Sequence, residues 1–325
     1  MKTYKVGIIG AGSIARAMAA TLAGIQQTEC YAIASRDKNK AEAFAREWGF
    51  SHAYGSYEEL ASDPEVDLIY IATPHAMHYE QARMCIESGK PVLCEKAFTA
   101  NAIQAEALLQ FAKEKQVFIT EAIWTRYMPL SEQIIKLVQS GIIGKPYMLS
   151  ANLGYPIRHV ERLQRPELAG GALLDVGVYT LNFAAMIFGK EIERTVSTCM
   201  KTESGVDAQN NIVLYFPGER MATLSSSMYA RTDRQGIISG DKGHIIVENI
   251  NNPQKVQVLD NDYHIIEEHR APKQITGYEY EVYACLEALE NGWLESPFMP
   301  HEETIRIMRQ MDELRNQWGI KYPFE

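Results

Sequence analysis

The stretch Tyr4-Lys-Val-Gly-Ile-Ile-Gly-Ala-Gly-Ser-Ile-Ala15 decides the fold. Its apolar run (Val6, Ile8, Ile9) passes without a break into Gly10-x-Gly12-x-x-Ala15, and a helical pattern follows. A buried strand that feeds a tight glycine turn at a helix N-terminus makes a pyrophosphate cradle. Gly10 allows the sharp turn, Gly12 lets the backbone approach the phosphates, and Ala15 is small enough for the helix to pack closely on the strand. The helix N-terminus adds free N–H donors and partial positive charge. Gly10, Gly12, Ser13, Ile14 and Ala15 are therefore expected to hold a dinucleotide. The glycine pattern alone is weak, and the strand before it and the helix after it give it weight.

Outward from this turn, residues 13–24 read as a helix and 30–35 as a second strand. A charged helix follows, ending near Gly49, which completes a βαβ unit. The end of the second strand selects the cofactor, because an acid there binds the ribose 2′-OH of NAD and an arginine accommodates the 2′-phosphate of NADP. Here the strand ends in Ser35-Arg36, with Asp37 only after them. Arg36 can pair with a phosphate and stack on adenine while Ser35 donates a hydrogen bond, so NADP(H) is the expected cofactor. The alternative has Arg36 in solvent and Asp37 on the ribose of NAD(H).

Strands are expected at 67–72, ending in Thr73-Pro74-His75, at 91–94, ending in Glu95-Lys96, and at 116–120 before Glu121, with helices between them. Strands separated by helices of 10–15 residues form a parallel sheet with right-handed crossovers, and ligands bind beyond its carboxyl ends. From about Pro129 the pattern changes. A helix at 174–188 follows Gly170-Gly171, strand-like runs occupy 196–200, 211–216, 221–227, 236–239, 244–247, 255–259 and 263–268, and two helices close the chain. The expected class is α/β: a doubly wound Rossmann domain over 1–122, then an α+β domain over 123–325 with a large, mostly antiparallel open sheet.

Bulk properties narrow the function. A chain of 325 residues suits two domains. The net charge of −9 is spread along the chain without a basic run, which argues against a nucleic-acid partner. No apolar run is expected to reach the roughly 18 residues needed to span a bilayer. With the first strand starting within the first few residues, no signal peptide is expected. Five scattered cysteines without a C-x-x-C pair read as reduced thiols, and the expected location is cytoplasmic. His75 and His78 lack a third ligand of suitable spacing, so no metal is expected.

Two places carry residues suited to chemistry. Lys96 follows a strand at the cofactor face, where an ammonium can orient a substrate hydroxyl or lower the pKa of an acid/base; its other reading is a solvated strand-end lysine. In Gly170-Gly-Ala-Leu-Leu-Asp175-Val-Gly177-Val-Tyr179-Thr-Leu-Asn182, helical spacing puts Asp175, Tyr179 and Asn182 on one face. The competing reading makes Asp175 a helix cap and Tyr179 a half-buried core residue.

Gly10-x-Gly12-x-x-Ala15, Ala72-Thr-Pro74-His75 with His78, Glu95-Lys96, Gly141-x-x-Gly144 and Gly170-Gly171…Asp175-x-Gly177-x-Tyr179 occur in this order. Together they resemble the glucose–fructose oxidoreductase / inositol dehydrogenase (Gfo/Idh/MocA) family over essentially the whole chain. Residues 121–129 and the ending Asp312-Glu-Leu-Arg…Tyr322-Pro323 resemble its dimeric dihydrodiol dehydrogenase branch. Many members carry proline at Ala97, histidine at Tyr179 and aspartate at Asn182, and these departures point away from inositol dehydrogenase chemistry. The resemblance implies an oxidoreductase acting on a sugar, polyol or small cyclic diol. Thr73, Pro74, His75, Glu95 and Lys96 would flank the ribose and nicotinamide. Tyr179 would serve as acid/base, Lys96 would assist it, and Asp175 would orient Lys96 or the substrate. Trp124, Arg126, Tyr127, Arg162 and Asn182 would line the substrate pocket, and the open sheet would build a homo-oligomer, a dimer or tetramer. Specificity is expected in residues 155–167 and 229–234, where Arg158, His159 and Arg231 join Arg162 as donors. A cofactor-binding sensor without chemistry is the alternative function.

Overall fold

In the computed structural model, which describes residues 2–325, the first half of the chain alternates strand and helix. Its order is β1 (Tyr4–Ile9), α1 (Ser13–Gly24), β2 (Thr28–Ala34), α2 (Lys38–Trp48), β3 (His52–Tyr54), α3 (Tyr57–Ala61), β4 (Leu68–Ile71), α4 (His75–Glu87), β5 (Val92–Glu95), α5 (Ala102–Lys115) and β6 (Ile119–Ala122). The strands form one parallel sheet in the order β3-β2-β1-β4-β5-β6. The order reverses between β1 and β4, the switch point at which doubly wound sheets open a crevice beyond their carboxyl ends. The expected architecture lacks β3 and α3, since a three-residue strand is too short to leave a period in the sequence.

The remaining elements are α6 (Pro129–Gln139), β7 (Pro146–Gly154), α7 (Val178–Phe188), β8 (Arg194–Lys201), β9 (Asp207–Phe216), β10 (Arg220–Ser227), β11 (Gly236–Gly240), β12 (Gly243–Val247), β13 (Lys255–Asp260), β14 (Ile265–Arg270), α8 (Glu279–Asn291) and α9 (His301–Gln317). The eight strands form a second sheet, ordered β14-β13-β12-β11-β7-β10-β9-β8. Every neighbouring pair is antiparallel except β7 and β10. The α/β class and the mostly antiparallel second sheet are as expected. Helix α7 packs on β7 and β10 in the middle of this sheet. Along β8 exposed and half-buried residues alternate, leaving Val196 and Met200 in solvent, as expected of a sheet with one open face.

Contacts divide the chain into two compact units that are not contiguous in sequence. The first comprises the chain to Trp124 with Gln274–Met308, and the second comprises Thr125–Lys273 with Arg309–Glu325. Helix α8, grouped with the second domain on sequence order, joins the first unit because Val282, Cys285, Leu286 and Ala288 share a core with Val6, Ile8 and Met18. The run Pro166–Phe188 is, by length and composition, long and apolar enough to cross a membrane. The expectation that no apolar run reaches this length is corrected here, because polar residues such as Asp175, Thr180 and Asn182 are spread through the segment without lowering its mean hydropathy enough to exclude it. It is 83% buried within the fold, as a core helix is.

Candidate active site

In the first unit the expected cofactor residues follow the carboxyl ends of β2, β1, β4 and β5, which neighbour one another in that order. Gly10 has φ +98°, and a Cβ there would lie 2.8 Å from the Ala72 carbonyl oxygen, so only glycine fits. A Cβ on Gly12 would meet nothing within 4 Å. Gly12 is also the N-cap of α1 and makes no side-chain cap hydrogen bond to the first N–H groups of the helix. Ala15 is fully buried against the strand.

At the end of β2, Ser35 is buried and its Oγ accepts the Asp37 N–H at 3.3 Å. Asp37 Oδ1 accepts the N–H groups of Asn39 and Lys40, capping α2. The carboxylate that sequence leaves open as a ribose ligand is thus employed locally. Arg36 is exposed and lines a cavity of ≈ 470 Å³ with Ser56, Tyr57, Glu58, Glu80 and Gln81.

After β4, Pro74 is the N-cap of α4, and the Thr73 hydroxyl donates to Gln81 Oε1 at 2.5 Å. His75 is buried. His78, on the buried face of α4, is a tie between two loops. Its Nδ1 lies 2.9 Å from the Ala97 carbonyl oxygen and its Nε2 2.8 Å from that of Thr73, so one ring spans the loops after β4 and β5. Half-buried Lys96 precedes a cis peptide to Ala97. Glu121, at the end of β6, accepts the Phe98 N–H at 3.2 Å. The lysine loop is therefore held by one side chain from α4 and one from β6.

Glu95 accepts the Tyr70 hydroxyl and, at 3.2 Å, the Lys96 N–H. Glu281 on α8 is fully buried, and neither carboxyl oxygen has a hydrogen-bond partner. Burial, then the negative Glu95 close by, push its pKa well above the usual carboxylate range. Sequence reasoning misses Glu281 because an acid in a helical pattern reads as surface. Its folded-state pKa exceeds the unfolded one, so its contribution to stability is full at acid pH and falls as pH rises above the unfolded value. Glu281→Gln is expected to raise Tm relative to the parent chain by roughly 3 °C or more at pH 8, and by less at pH 5. Thermal melts at the two pH values check this, and a difference that does not grow with pH refutes it.

In the second unit, the segment carrying Asp175 is a π-turn, Leu173–Gly177, that runs directly into α7. Regular α-helical spacing between Asp175 and Tyr179 is therefore absent, because π-turns insert an extra residue and recur at functional sites. Asp175 is not a cap; it pairs with Arg162 at 2.9 Å. Arg126 Nε donates to Asn182 Oδ1 at 2.5 Å, and Asn182 Nδ2 donates to the Val178 carbonyl at 2.8 Å. The structure thus brings four of the expected residues together as two pairs. Tyr127 and Tyr179 are buried. Trp124 belongs to the first unit, where it stacks on Tyr278 with ring centroids 4.2 Å apart. Because β7 and β10 are parallel and in register, with Gly154 opposite Ser227, the segments 155–167 and 229–234 leave the sheet side by side. Hydrogen bonds from Ile157 N to Met228 O and from Thr232 N to Gly154 O join them.

Residues 4–122 match the profile described as "Oxidoreductase family, NAD-binding Rossmann fold", and residues 131–246 match the GFO/IDH/MocA C-terminal domain. The trans-1,2-dihydrobenzene-1,2-diol dehydrogenase of Xenopus tropicalis is 36% identical over 98% of this chain and 99% of its own. The chain belongs to the Gfo/Idh/MocA oxidoreductase family. Other members similar to it include the human protein of the same name, at 32% identity over 98% of this chain and 97% of its own. The D-xylose 1-dehydrogenase (NADP(+)) of Hypocrea jecorina is 34% identical over 99% and 93%. Among solved structures, KijD10, a 3-ketoreductase from Actinomadura kijaniata in complex with NADP, superposes with a TM-score of 0.85 at 25% identity, covering 97% of both chains. For this Gfo/Idh/MocA chain the family resemblance read from its motifs holds, including its likeness to the dihydrodiol dehydrogenases.

Proposed function

We propose that this chain is an NADP(H)-dependent dehydrogenase or reductase acting on a CH–OH carbon of a sugar, polyol or small cyclic diol. The cradle at Gly10 and Gly12 carries the reading, because a glycine-only turn leading into a helix N-terminus that no side chain caps suits a pyrophosphate. The names of the relatives, diol and D-xylose dehydrogenases among them, supply the substrate class. Gly10, Gly12, Ser13, Ile14 and Ala15 would hold the pyrophosphate, Ser35 and Arg36 the 2′-phosphate, and Thr73, Pro74, His75 and Glu95 the ribose and nicotinamide. When bound, NADP(H) supplies the hydride donor or acceptor.

The remaining chemistry is proton transfer. Tyr179 gives or takes the proton at the reacting oxygen, and the Lys96 ammonium favours the phenolate form that a base near neutral pH requires. Asp175, held by Arg162, orients the donors around that oxygen. Trp124, Arg126, Tyr127 and Asn182 shape the substrate pocket. NADP is favoured over NAD because Asp37 Oδ1 is engaged as a helix cap while Arg36 stands exposed beside a cavity, which this reading gives to the adenosine end of the cofactor. Arg36→Ala is expected to weaken NADPH binding by roughly 10–100-fold, the worth of a charge-assisted pair, and to leave NADH binding unchanged. Fluorescence titration of both nucleotides tests this, and equal loss for the two refutes the assignment. A screen of sugars, polyols and dihydrodiols with NADP⁺ and NAD⁺ tests the reaction itself. The open sheet face, with Val196 and Met200 exposed, is assigned to a homo-oligomer, which sedimentation at micromolar concentration tests, and the location to the cytoplasm.

A further inference from the structure

The ending Asp312-Glu-Leu-Arg…Tyr322-Pro323 has no part in the function proposed above, yet the structure builds it into the backbone that launches α7. The Tyr322 hydroxyl donates to the Gly170 carbonyl at 2.8 Å, and the tyrosine is almost fully buried. Arg315 lies 4.3 Å from the centre of its ring and forms a two-pronged pair with Glu325, at 2.8 and 2.9 Å, and a further bond to Asp312 at 2.6 Å. Glu325 in turn accepts the Tyr322 N–H at 2.9 Å. These bonds fix where the Tyr322 hydroxyl stands.

One turn later the same backbone meets a second anchor. Asp207, the fully buried first residue of β9, accepts the Leu173 N–H at 2.7 Å through Oδ2, and the Asn210 side chain donates to the same oxygen at 2.9 Å. Leu173 opens the π-turn that contains Asp175. Between the anchors Gly171 has φ +116°, and a Cβ there would lie 2.3 Å from Asp207 Oδ1, so the carboxylate sits where no other residue type leaves room.

We infer that the C-terminal segment 312–325 and Asp207 are positioning residues for the turn that carries Asp175 and leads into Tyr179 on α7. Tyr322 and Asp207 hold the two ends of Gly170-Gly171-Ala172-Leu173, and that hold sets where the following side chains act. The inference rests on the proposed function for the roles of Asp175 and Tyr179. Its acid limit follows from the surroundings of Asp207, which are Arg315 from α9, Tyr322, Cys199 on β8, Asn210 and the Leu173 N–H. Burial, opposed by these hydrogen bonds and Arg315, brings the Asp207 pKa up to about 6. Below that pH the carboxyl gains a proton and holds the Leu173 N–H less well.

The test uses full-length Tyr322→Phe, Asp207→Ala and Asp207→Asn. It reads amide hydrogen exchange across 170–182 and NADP⁺-dependent oxidation of D-xylose and of trans-1,2-dihydrobenzene-1,2-diol. Tyr322→Phe and Asp207→Ala are expected to speed exchange in 170–182 about tenfold, while residues 4–34 keep their protection. With whichever alcohol is turned over, kcat falls about tenfold and KM for NADP⁺ is unchanged. Asp207→Asn, which keeps an acceptor for Leu173 N–H, restores kcat at pH 7 and lacks the acid limb near pH 6 that the parent shows. Unchanged exchange overturns the inference, as does faster exchange with an unaltered kcat. If Asp207→Ala does not fold, Tyr322→Phe decides by the same criteria. A parent chain that oxidises neither alcohol counts against the proposed function, and the exchange experiment then decides whether the anchors exist.

Discussion

Lys96→Met and Tyr179→Phe are each expected to lower kcat by roughly 10²–10⁴-fold, the range for losing a positioned acid–base group, with NADPH binding retained. The two changes are nearly conservative in volume and remove only the ammonium and the phenolic hydroxyl. Lys96 sits in a loop that His78 and Glu121 hold from either side, so its backbone has independent supports when the charge is gone. Tyr179 lies on α7, which leaves the π-turn as a packed core helix, so its ring keeps its contacts when the hydroxyl is lost. The effects are also expected to be non-additive, because under the proposed mechanism both residues serve one proton transfer: the double variant is then hardly slower than the worse single one. Steady-state kinetics with NADPH titration in parallel checks the set. Normal turnover in both single variants removes the Lys/Tyr mechanism, and a loss of NADPH affinity that matches the loss of kcat reassigns both residues to binding.

Gly10→Ala and Gly12→Ala are expected to fail in different ways. At Gly10 a methyl group must adopt φ +98° and stand 2.8 Å from the Ala72 carbonyl oxygen, so the turn itself is displaced. The strain of a left-handed residue costs about 1–2 kcal/mol before the clash is counted. Gly10→Ala should therefore lower Tm and weaken NADPH binding by about 100-fold or more, or ~2.7 kcal/mol. At Gly12 the same methyl meets nothing within 4 Å beyond its own chain neighbours, so the free protein should melt as the parent does. Only a phosphate approaching the backbone would feel it, and affinity should fall while Tm holds. Melting curves with and without NADPH separate the two. Full NADPH affinity in Gly12→Ala shows that the pyrophosphate does not approach this glycine.

Much of the first unit is legible in sequence because its signals are local. Strand β1, the glycine turn and α1 follow one another within about twenty residues, and each next strand is announced by an apolar run and a helix of ordinary length. The short β3 and α3 leave no such run. The placement of α8 is illegible for another reason. Its apolar residues are plain in the sequence, but whether they pack on Val6 and Ile8 or on the second sheet is decided by which surface is left uncovered.

The candidate site divides along the same line. Sequence by itself determined the cradle, the residues at the strand ends and the stretch containing Asp175 and Tyr179, because each is a short pattern whose chemistry depends on its neighbours in the chain. Only the tertiary structure decided what those residues are joined to. It gave Asp37 to a helix cap, made His78 a tie between two loops, paired Arg126 with Asn182 across 56 residues, and buried Glu281 where an acid reads as surface. It also showed that Asp175 stands on a π-turn held by Asp207 and Tyr322. The physical reason is that backbone periodicity and turn chemistry are set by near neighbours, whereas a buried polar group must find a partner or keep its proton, and its partners come from wherever the fold brings them.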